Sequence, residues 1–576
     1  MSFQALNIAA SSLRSQQKAM DVVSHNIANV NTPGYSRQTA NLATAIPESI
    51  GGLDFGRGID IQSIGRAVAP LINSAQRENA SQFAFWNQVA SGLATIENNF
   101  GSLDNTGLAA AVNDFFLSWQ QLSNNPQDTA QKYNVRNKTE TLIQQLSNMY
   151  AQLHDGQVKL DQSISQQIND ANLKLDNIAS LNQQIKAHEA GRQGNSSIAN
   201  DLRDQRDTAI RELAKIIPVQ QVDTQDGGIL LQTKGGDLLV QDNVARHLAR
   251  STTSTSGYQG IIIAGSNQQV QGLDTGGSLG GTIKLRDEYY QKYIDALNSF
   301  ASNLAFATNQ IHSNAASPTR LSNIQSGQGA SNPALALNDV SQQVPFAGKV
   351  QPGSFNVHVY DSAGNPLLPI SKTTITLTAT TTMNDVAASF NAITGVTATV
   401  DSNGRLNIDV GANTIAFADD TSNFLAAYEI GSFFHGATAG NLALSQSVQN
   451  DVNTIGTGYI DATTSLLQAG DQRAAAAIMQ LQDSAISVDG TTPASLHDRI
   501  ANLSSQYGLD VGLARQQKDY RSAEATSLIQ QREAVSGVNV DEELIAMMKF
   551  QRAYEAAAKV ISTNNQMLDS LMGMLR

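Results

Sequence analysis

VDEELIAMMKFQRAYEAAAKVISTNNQMLDSLMGML, residues 540–575, places Val540, Leu544, Met547, Gln551, Tyr554, Ala558, Ile561, Asn565, Leu568, Met572 and Leu575 in strict steps of four and three. Only Gln551 and Asn565 interrupt this apolar seam, and no proline or glycine breaks it before Gly573. Residues three and four apart share one helix face, so the spacing predicts a coiled-coil helix. At the other end, Phe3, Leu6, Ala10, Leu13, Gln17, Met20, Ser24 and Ile27 repeat the pattern, with Gln17 and Ser24 polar. Chain ends usually fray, so long amphipathic helices at both of them point to pairing and assembly rather than to chemistry.

Ordering the backbone costs about 1–2 kcal/mol per residue, and a buried large apolar side chain returns about 1.5–3 kcal/mol. The last helix therefore needs a partner. A second row, Phe550, Ala553, Ala557, Val560, Met567, Leu571 and Met574, lies beside the first and is interrupted by Asn564. The apolar surface is thus wider than a two-stranded seam requires, and its methionines suit a surface that adapts to several packings. Periodicity alone fits equally well an ordinary helical hairpin inside a monomer.

The 576 residues exceed what one core supports, which predicts several domains. Charged residues make up 15% of the chain, against about 25% in an average soluble domain, so the surface is polar but weakly self-repelling. The net charge of -13, and the lack of a basic run interleaved with aromatics, argue against nucleic acid as a partner. The chain has no cysteine, which removes disulfides, thiolate metal sites and thiol nucleophiles. The opening MSFQALNIAASSLRSQQ pairs no basic region with an apolar block, so no cleaved secretory signal is expected. No apolar run reaches membrane-spanning length.

Asn29-Val30-Asn31-Thr32-Pro33-Gly34-Tyr35 must stop the first helix, because proline removes a donor and glycine turns the chain. An extended, glycine-punctuated segment runs to about Ala67, then a mostly helical pattern from Pro70 to Ala190, with breaks at 101–107 and Asn124-Asn125-Pro126. Ile198 to Ile216 reads as a further helix, followed by strand, turn and strand over Ile229 to Val240. Gly276 to Gly281 reads as a flexible turn before a helix from Ile283 to Ile311. Alternating Phe355, Val357 and Val359, and the hairpin pattern Ala398, Val400, Asp401-Ser402-Asn403-Gly404, Leu406, Ile408, Val410, mark a second β region. Helix returns at Asp471 to Leu481 and from Ser495 onward, with loops expected at Gly490 and Gly508 to Gly512 and a break at Ser536-Gly537.

The expected fold class is mainly α with inserted β domains: paired N- and C-terminal coiled-coil helices, a long helical bundle and β-rich middle modules. The expected domains are residues 1–35 with 537–576 as the terminal coiled-coil assembly domain, and 36–216 with 283–320 and 440–536 as an extended helical bundle. Residues 217–282 form a small β module and 340–435 an inserted β domain.

Ser24-His25-Asn26-Ile27-Ala28-Asn29-Val30-Asn31-Thr32-Pro33-Gly34-Tyr35-Ser36 resembles the N-terminal motif of the bacterial flagellar axial family of rod, hook and hook-associated proteins. Ser536-Gly537-Val538-Asn539-Val540-Asp541-Glu542-Glu543-Leu544, with Gln551-Arg552-Ala553-Tyr554 and Ala556-Ala557, resembles its C-terminal motif. Gly276 to Asp287 and Ser505 to Gly512 resemble stretches of the hook-associated members at the hook–filament junction. Residues 355–410 match no motif of the family.

The resemblance implies a structural component of the bacterial flagellum, secreted and extracellular, exported as an unfolded monomer and self-assembled into a ring between hook and filament. The terminal helices would line the inner tube and the 340–435 domain would face outward. Implied partners are further copies of the chain, the hook protein, the second hook–filament junction protein, an export chaperone at the C-terminal helix and the flagellar type III export apparatus. The expected assembly interface is Phe3, Leu6, Leu13, Met20, Ile27, Asn29, Asn31, Pro33, Gly34, Tyr35, Val540, Leu544, Met547, Tyr554, Ile561, Leu568, Met572 and Leu575. Another axial member, such as the second junction protein or a hook component, and a secreted coiled-coil adhesin are the alternative readings.

Chemical motifs are weak. His188-Glu189-Ala190-Gly191-Arg192 begins like a zinc-protease helix, but Arg192 stands where the second histidine belongs. His25 is expected to serve as a helix-end hydrogen-bonding group. Gly56-Arg57-Gly58 lacks a third glycine, no phosphate loop or Gly-x-Ser-x-Gly elbow occurs, and Glu542-Glu543 suits a helix start. Trp86 and Trp119 read as core anchors. No enzyme activity, metal, cofactor or membrane insertion is expected.

Overall fold

A computed structural model describes residues 2–574 apart from 51–52, 101–106, 191–198, 225–227, 256, 267 and 368–371, with the backbone alone at 2–3, 50, 53–54, 97–100 and 253–255. The expected break at 101–107 and the Gly191-Arg192 pair therefore fall largely outside the described residues. The chain is mainly helical with small antiparallel sheets in its middle, as the periodicity predicts. It divides into two compact units, residues 1–92, 159–286 and 512–576 in the first, and residues 93–158 and 287–511 in the second.

In the first unit the N-terminal helix, Ser2–Ala28, and the C-terminal helix, Val540–Met574, pack along each other. Strands Gln38–Thr44 and Ile59–Arg66 form an antiparallel ribbon against the N-terminal helix, with a register shift between Asn41 and Leu42. The Ser11 and Ser15 hydroxyls both donate to the Ile59 carbonyl, at 2.8 and 3.0 Å. Strands Val219–Asp223, Ile229–Thr233, Leu238–Gln241 and Val244–Ala245 make a four-stranded antiparallel meander. Its inward Leu231, Leu239 and Val240 share a core with Leu175 and Ile178 of the long helix Thr129–Glu189, and with Ile210 and Leu213 of helix Asn200–Ala214.

Gly277–Lys284 is helical rather than a flexible turn. A Cβ at Gly277 would lie 2.3 Å from the Ile216 carbonyl oxygen, and one at Gly280 would lie 2.2 Å from that of Leu273. The glycines are there because backbones touch, and the close packing orders them.

The second unit holds the rest of the β structure. Strands Lys372–Leu377, Gly353–Tyr360 and Thr414–Ala418 form one sheet with Gly353–Tyr360 central. Ile324–Gln325, Leu406–Asp409 and Thr397–Val400 form another. The predicted hairpin forms, with the Asp401 carboxylate accepting from the Asn403 and Arg405 amides at 2.8 and 3.0 Å. Phe355, Phe390, Phe417 and Phe424 fill the core. A second aromatic group, Phe115, Trp119, Phe433 and Phe434, stacks edge to face or tilted, with Trp119 wholly buried.

Helix Leu496–Ser536 runs unbroken through Gly508 and Gly512, where loops were expected. Each glycine costs about 1 kcal/mol inside a helix, and packing offsets this. Within the second unit Tyr507 and Val511 are buried, and the Tyr507 hydroxyl donates to the Leu93 carbonyl at 2.8 Å. Within the first, Asn79 and Gln76 donate to the carbonyls of Arg521 and Leu528. The helix does end at Ser536, as Ser536-Gly537 predicts.

Candidate assembly interface

The N-terminal helix stops because Asn29 to Tyr35 uses its own polar groups. Asn29 Nδ2 donates to the His25 carbonyl at 3.0 Å, and Thr32-Pro33-Gly34-Tyr35 closes a turn by a Tyr35 amide bond to the Thr32 carbonyl at 3.2 Å. Proline second and glycine third with φ of +87° is the type II pattern. The C-terminal helix starts where the Asn539 side chain accepts the Asp541 amide at 3.0 Å, with Asp541, Glu542 and Glu543 in its first turn.

These two helix ends meet. The Arg37 amide donates to the Ser536 carbonyl at 2.9 Å, and the buried Arg532 guanidinium donates to the Gly34 and Tyr35 carbonyls at 2.9 and 3.0 Å. Asn26 is 1% exposed and makes four hydrogen bonds: its Nδ2 donates to the Gln38 carbonyl and to Glu543 Oε2, and its Oδ1 accepts the Gln38 amide and the Tyr35 hydroxyl, all within 2.7–3.0 Å. Arg37 Nε donates to the other Glu543 oxygen at 2.7 Å. Stranding the buried Glu543 carboxylate by removing its donors would cost on the order of 3–5 kcal/mol.

A charge network supports the turn. Asp204 accepts the Ser36 amide and hydroxyl and Arg66 Nη1, and Asp207 also accepts Arg66 Nη1. Burial pushes the Asp204 carboxyl up against the pull of Arg66 and Ser36. Burial also opposes the Arg66 charge, but Asp207 and Asp204 outweigh it and raise its pKa. The Tyr35 phenol is pushed up by burial and by the Asp201, Asp204 and Glu543 carboxylates, so it acts as a donor. His25 faces Asp201 at 3.3 Å in a half-exposed pair worth little to stability.

Away from this clasp the two helices run antiparallel, and the apolar residues buried are small, with Ser15, Gln16 and Asn564 buried among them. Ala9, Ala19, Val22 and Val23 on one helix, and Ala557 on the other, are at most 8% exposed. Ala5, Ile8, Ala9 and Ser12 face Ala553, Ala556, Ala557 and Val560 across an open groove of about 470 Å³. Leu6, Leu13, Met20 and Ile27 are half-buried, as are Met547, Ile561, Leu568, Asn29, Gly34 and Tyr35. Asn31 and Pro33 are exposed, and Val540, Leu544, Tyr554 and Met572 are 37–69% exposed. Leu575 and the Phe3 side chain lie outside the described residues. Sequence reasoning missed Asn26, Arg37, Arg66, Asp204, Arg532 and Glu543 as the polar clasp. Only Asn26 and Glu543 carried a signal, as polar residues beside an apolar seam.

Among the described residues no group of histidines and acids could hold a metal, and no helix is long and apolar enough to cross a membrane.

Comparison with known proteins places these features. Residues 93–319 match the helical domain of the flagellar hook-associated protein FlgK, 6–35 the flagella basal body rod protein, 529–574 the C-terminal region of the basal body rod proteins FlgEFG, and 354–411 the flagellin hook IN motif. Flagellar hook-associated protein 1 of Salmonella typhimurium is 28% identical, with 99% of each chain covered. The protein of that name in Escherichia coli K12 is 26% identical, again over 99% of both chains, and in Bacillus subtilis 22%, over 99% of this chain and 98% of its relative. The chain is thus similar over nearly its whole length to proteins named flagellar hook-associated protein 1.

The hook junction protein FlgK of Burkholderia pseudomallei is a structural neighbour with a TM-score of 0.49 at 17% identity, covering 81% of this chain and all of that one. Of the clasp residues, Asn26, Gly34 and Tyr35 fall inside the 6–35 match and Arg532, Ser536 and Glu543 inside the 529–574 match, whereas Ser36, Arg37 and Gln38 lie just beyond the first. The β region in which sequence reasoning finds no motif of the family matches the flagellin hook IN motif. The family's role is structural, within the flagellum.

Proposed function

We propose that this chain is built into the junction between hook and filament, assembling through its terminal helices into a ring after export as an unfolded monomer. The observation that carries this reading is the apolar surface left on the C-terminal helix once it has paired. Leu544, Met548 and Met572 remain 46–69% exposed, and Ile545, Val560, Met567 and Leu571 49–63%. On the helical repeat these fall on both flanks of the buried line through Glu543, Ala557 and Asn564, as a helix with neighbours on two sides requires. Further copies of the chain are the occupants that the family and the ring reading imply, with the hook protein and the second junction protein at the ring's two faces. The same surface in a monomer calls for an export chaperone at the C-terminal helix, and a chain without cysteine passes the type III export apparatus free of cross-links.

The rod-type matches at both ends favour one second reading, a hook or rod component elsewhere on the axis. Electron microscopy of a deletion strain, with flagellin assayed in the medium, separates the two. Bare hooks with unpolymerised flagellin in the medium support the junction, defects below the hook support the second reading, and normal filaments refute both.

A further inference from the structure

We infer that Asn26 and Glu543 are a register pin, a polar pair that is satisfied in the observed antiparallel alignment of the terminal helices and selects it over those one heptad away. The inference rests on the pairing of these helices within one chain, and not on where in the flagellum the chain is built.

The need for a pin follows from the rest of the interface. Its buried apolar residues are Ala9, Ala19, Val22 and Val23 on one helix and Ala557 on the other, with Ala553 and Ala556 beside the last and Gln16 and Asn564 as further buried polar residues of the two helices. Sliding one helix by a heptad moves it about 10.5 Å and returns the same face to its partner. Phe550 or Asn564 then stands opposite Ala9 in place of Ala557, and the open groove of about 470 Å³ at this level leaves room for either, so the apolar contact alone does not exclude the slipped alignments.

The polar pair does distinguish. Three of the four hydrogen bonds of Asn26 stay within its own segment, to the Gln38 backbone and the Tyr35 hydroxyl. They fix the carboxamide before any partner arrives and aim its remaining N–H at Glu543 Oε2, 3.0 Å away. Glu543 is 2% exposed, and Arg37 holds its second oxygen at 2.7 Å. A heptad slip would put Phe550 or Ser536 at this level and carry the Glu543 carboxylate away from both donors. A buried polar seam residue that is satisfied in one alignment alone is the best-attested device for fixing register.

A chain free of cysteine makes the test direct. In the full-length protein, Ala9→Cys is combined with Ala557→Cys for the observed alignment, and with Phe550→Cys or Asn564→Cys for the slipped ones, and each pair is oxidised. The parent should form the Ala9→Cys/Ala557→Cys bridge almost exclusively. In an Asn26→Leu/Glu543→Leu background that keeps its helical circular dichroism, slipped bridges should rise at least about tenfold. Glu543→Gln retains an acceptor for Asn26 and should stay close to the parent. An unchanged bridge pattern in the double variant overturns the inference, as does loss of every bridge, which would make the pair a stabilising contact and not a selector. A parent without the observed bridge also overturns it. A flagellar phenotype that contradicts the junction leaves these readouts untouched.

Discussion

Replacing Gly34 with alanine tests whether the turn at the end of the N-terminal helix is held by its backbone shape. Gly34 sits at φ +87°, where an alanine costs about 1–2 kcal/mol. Its new Cβ would lie 2.5 Å from Thr208 Oγ1 and 3.2 Å from Arg211 Nη2, so Thr208 must move. Crowding of this kind adds roughly 1–2 kcal/mol, for a total of about 2–4 kcal/mol.

The chain has two tryptophans, and they divide the molecule: Trp86 lies in the first unit with Gly34, and Trp119 in the second. In a Trp119→Phe background the fluorescence of Trp86, which rests edge-on against Phe85, reports the first unit alone. With a urea slope near 3 kcal/mol/M the midpoint should fall by about 1 M. Gly34→Asn, better tolerated at positive φ, should fall less than Gly34→Ala if backbone conformation carries part of the cost. Thr208→Ala should recover the crowding part only. A Gly34→Ala midpoint within about 0.2 M of the parent would refute the account.

His312 is wholly buried, its Nδ1–H donating to the Gly431 carbonyl at 3.0 Å and its Nε2 accepting the Gly456 amide at 3.1 Å, and burial lowers its pKa to about 4. The folded state thus binds fewer protons than the unfolded one between pH 6.5 and 4, and stability is lost as pH falls through that window. The loss from this group is about 3 kcal/mol. Trp119 fluorescence in a Trp86→Phe background should show the second unit losing more urea resistance from pH 7 to pH 4.5 than a His312→Asn variant does, and equal losses would contradict it. Ala557→Leu fills the small-residue groove and should weaken the helix pair by about 1–3 kcal/mol, seen as a lower Trp86-reported midpoint and as fewer assembled flagella in cells carrying the variant.

The elements legible in the sequence are those whose signal is local. The terminal helices announce themselves through apolar residues at steps of three and four, and the 397–409 hairpin through alternation around Asp401 to Gly404. The first stop is legible because Pro33 and Gly34 leave the backbone one path. What escaped depends on distant partners. Gly508 and Gly512 look like breakers until Tyr507 is seen anchored to Leu93. Gly277 and Gly280 look flexible until Ile216 and Leu273 press against them. The clasp joins Arg66 to Asp204 across 138 positions and Arg532 to Gly34 across 498, spacings that no periodicity encodes. Coiled-coil arithmetic favours large side chains, whereas the face buried within the chain is mostly alanine and valine, with the large residues left on its flanks.

The Asn26–Glu543 contact closes a loop between residues 517 positions apart. At roughly 5–20 residues per second, a ribosome needs on the order of half a minute to two minutes to supply the second partner after the first. Every residue of the second unit, by contrast, has been made by position 511. The second unit can therefore finish folding while the first still lacks its final helix, and the N-terminal helix waits unpaired until the last residues are made. A chain cut short between Val511 and Glu543 keeps every residue of the second unit and loses the Asn26–Glu543 contact, so the terminal pair doubles as a check that synthesis has passed Glu543.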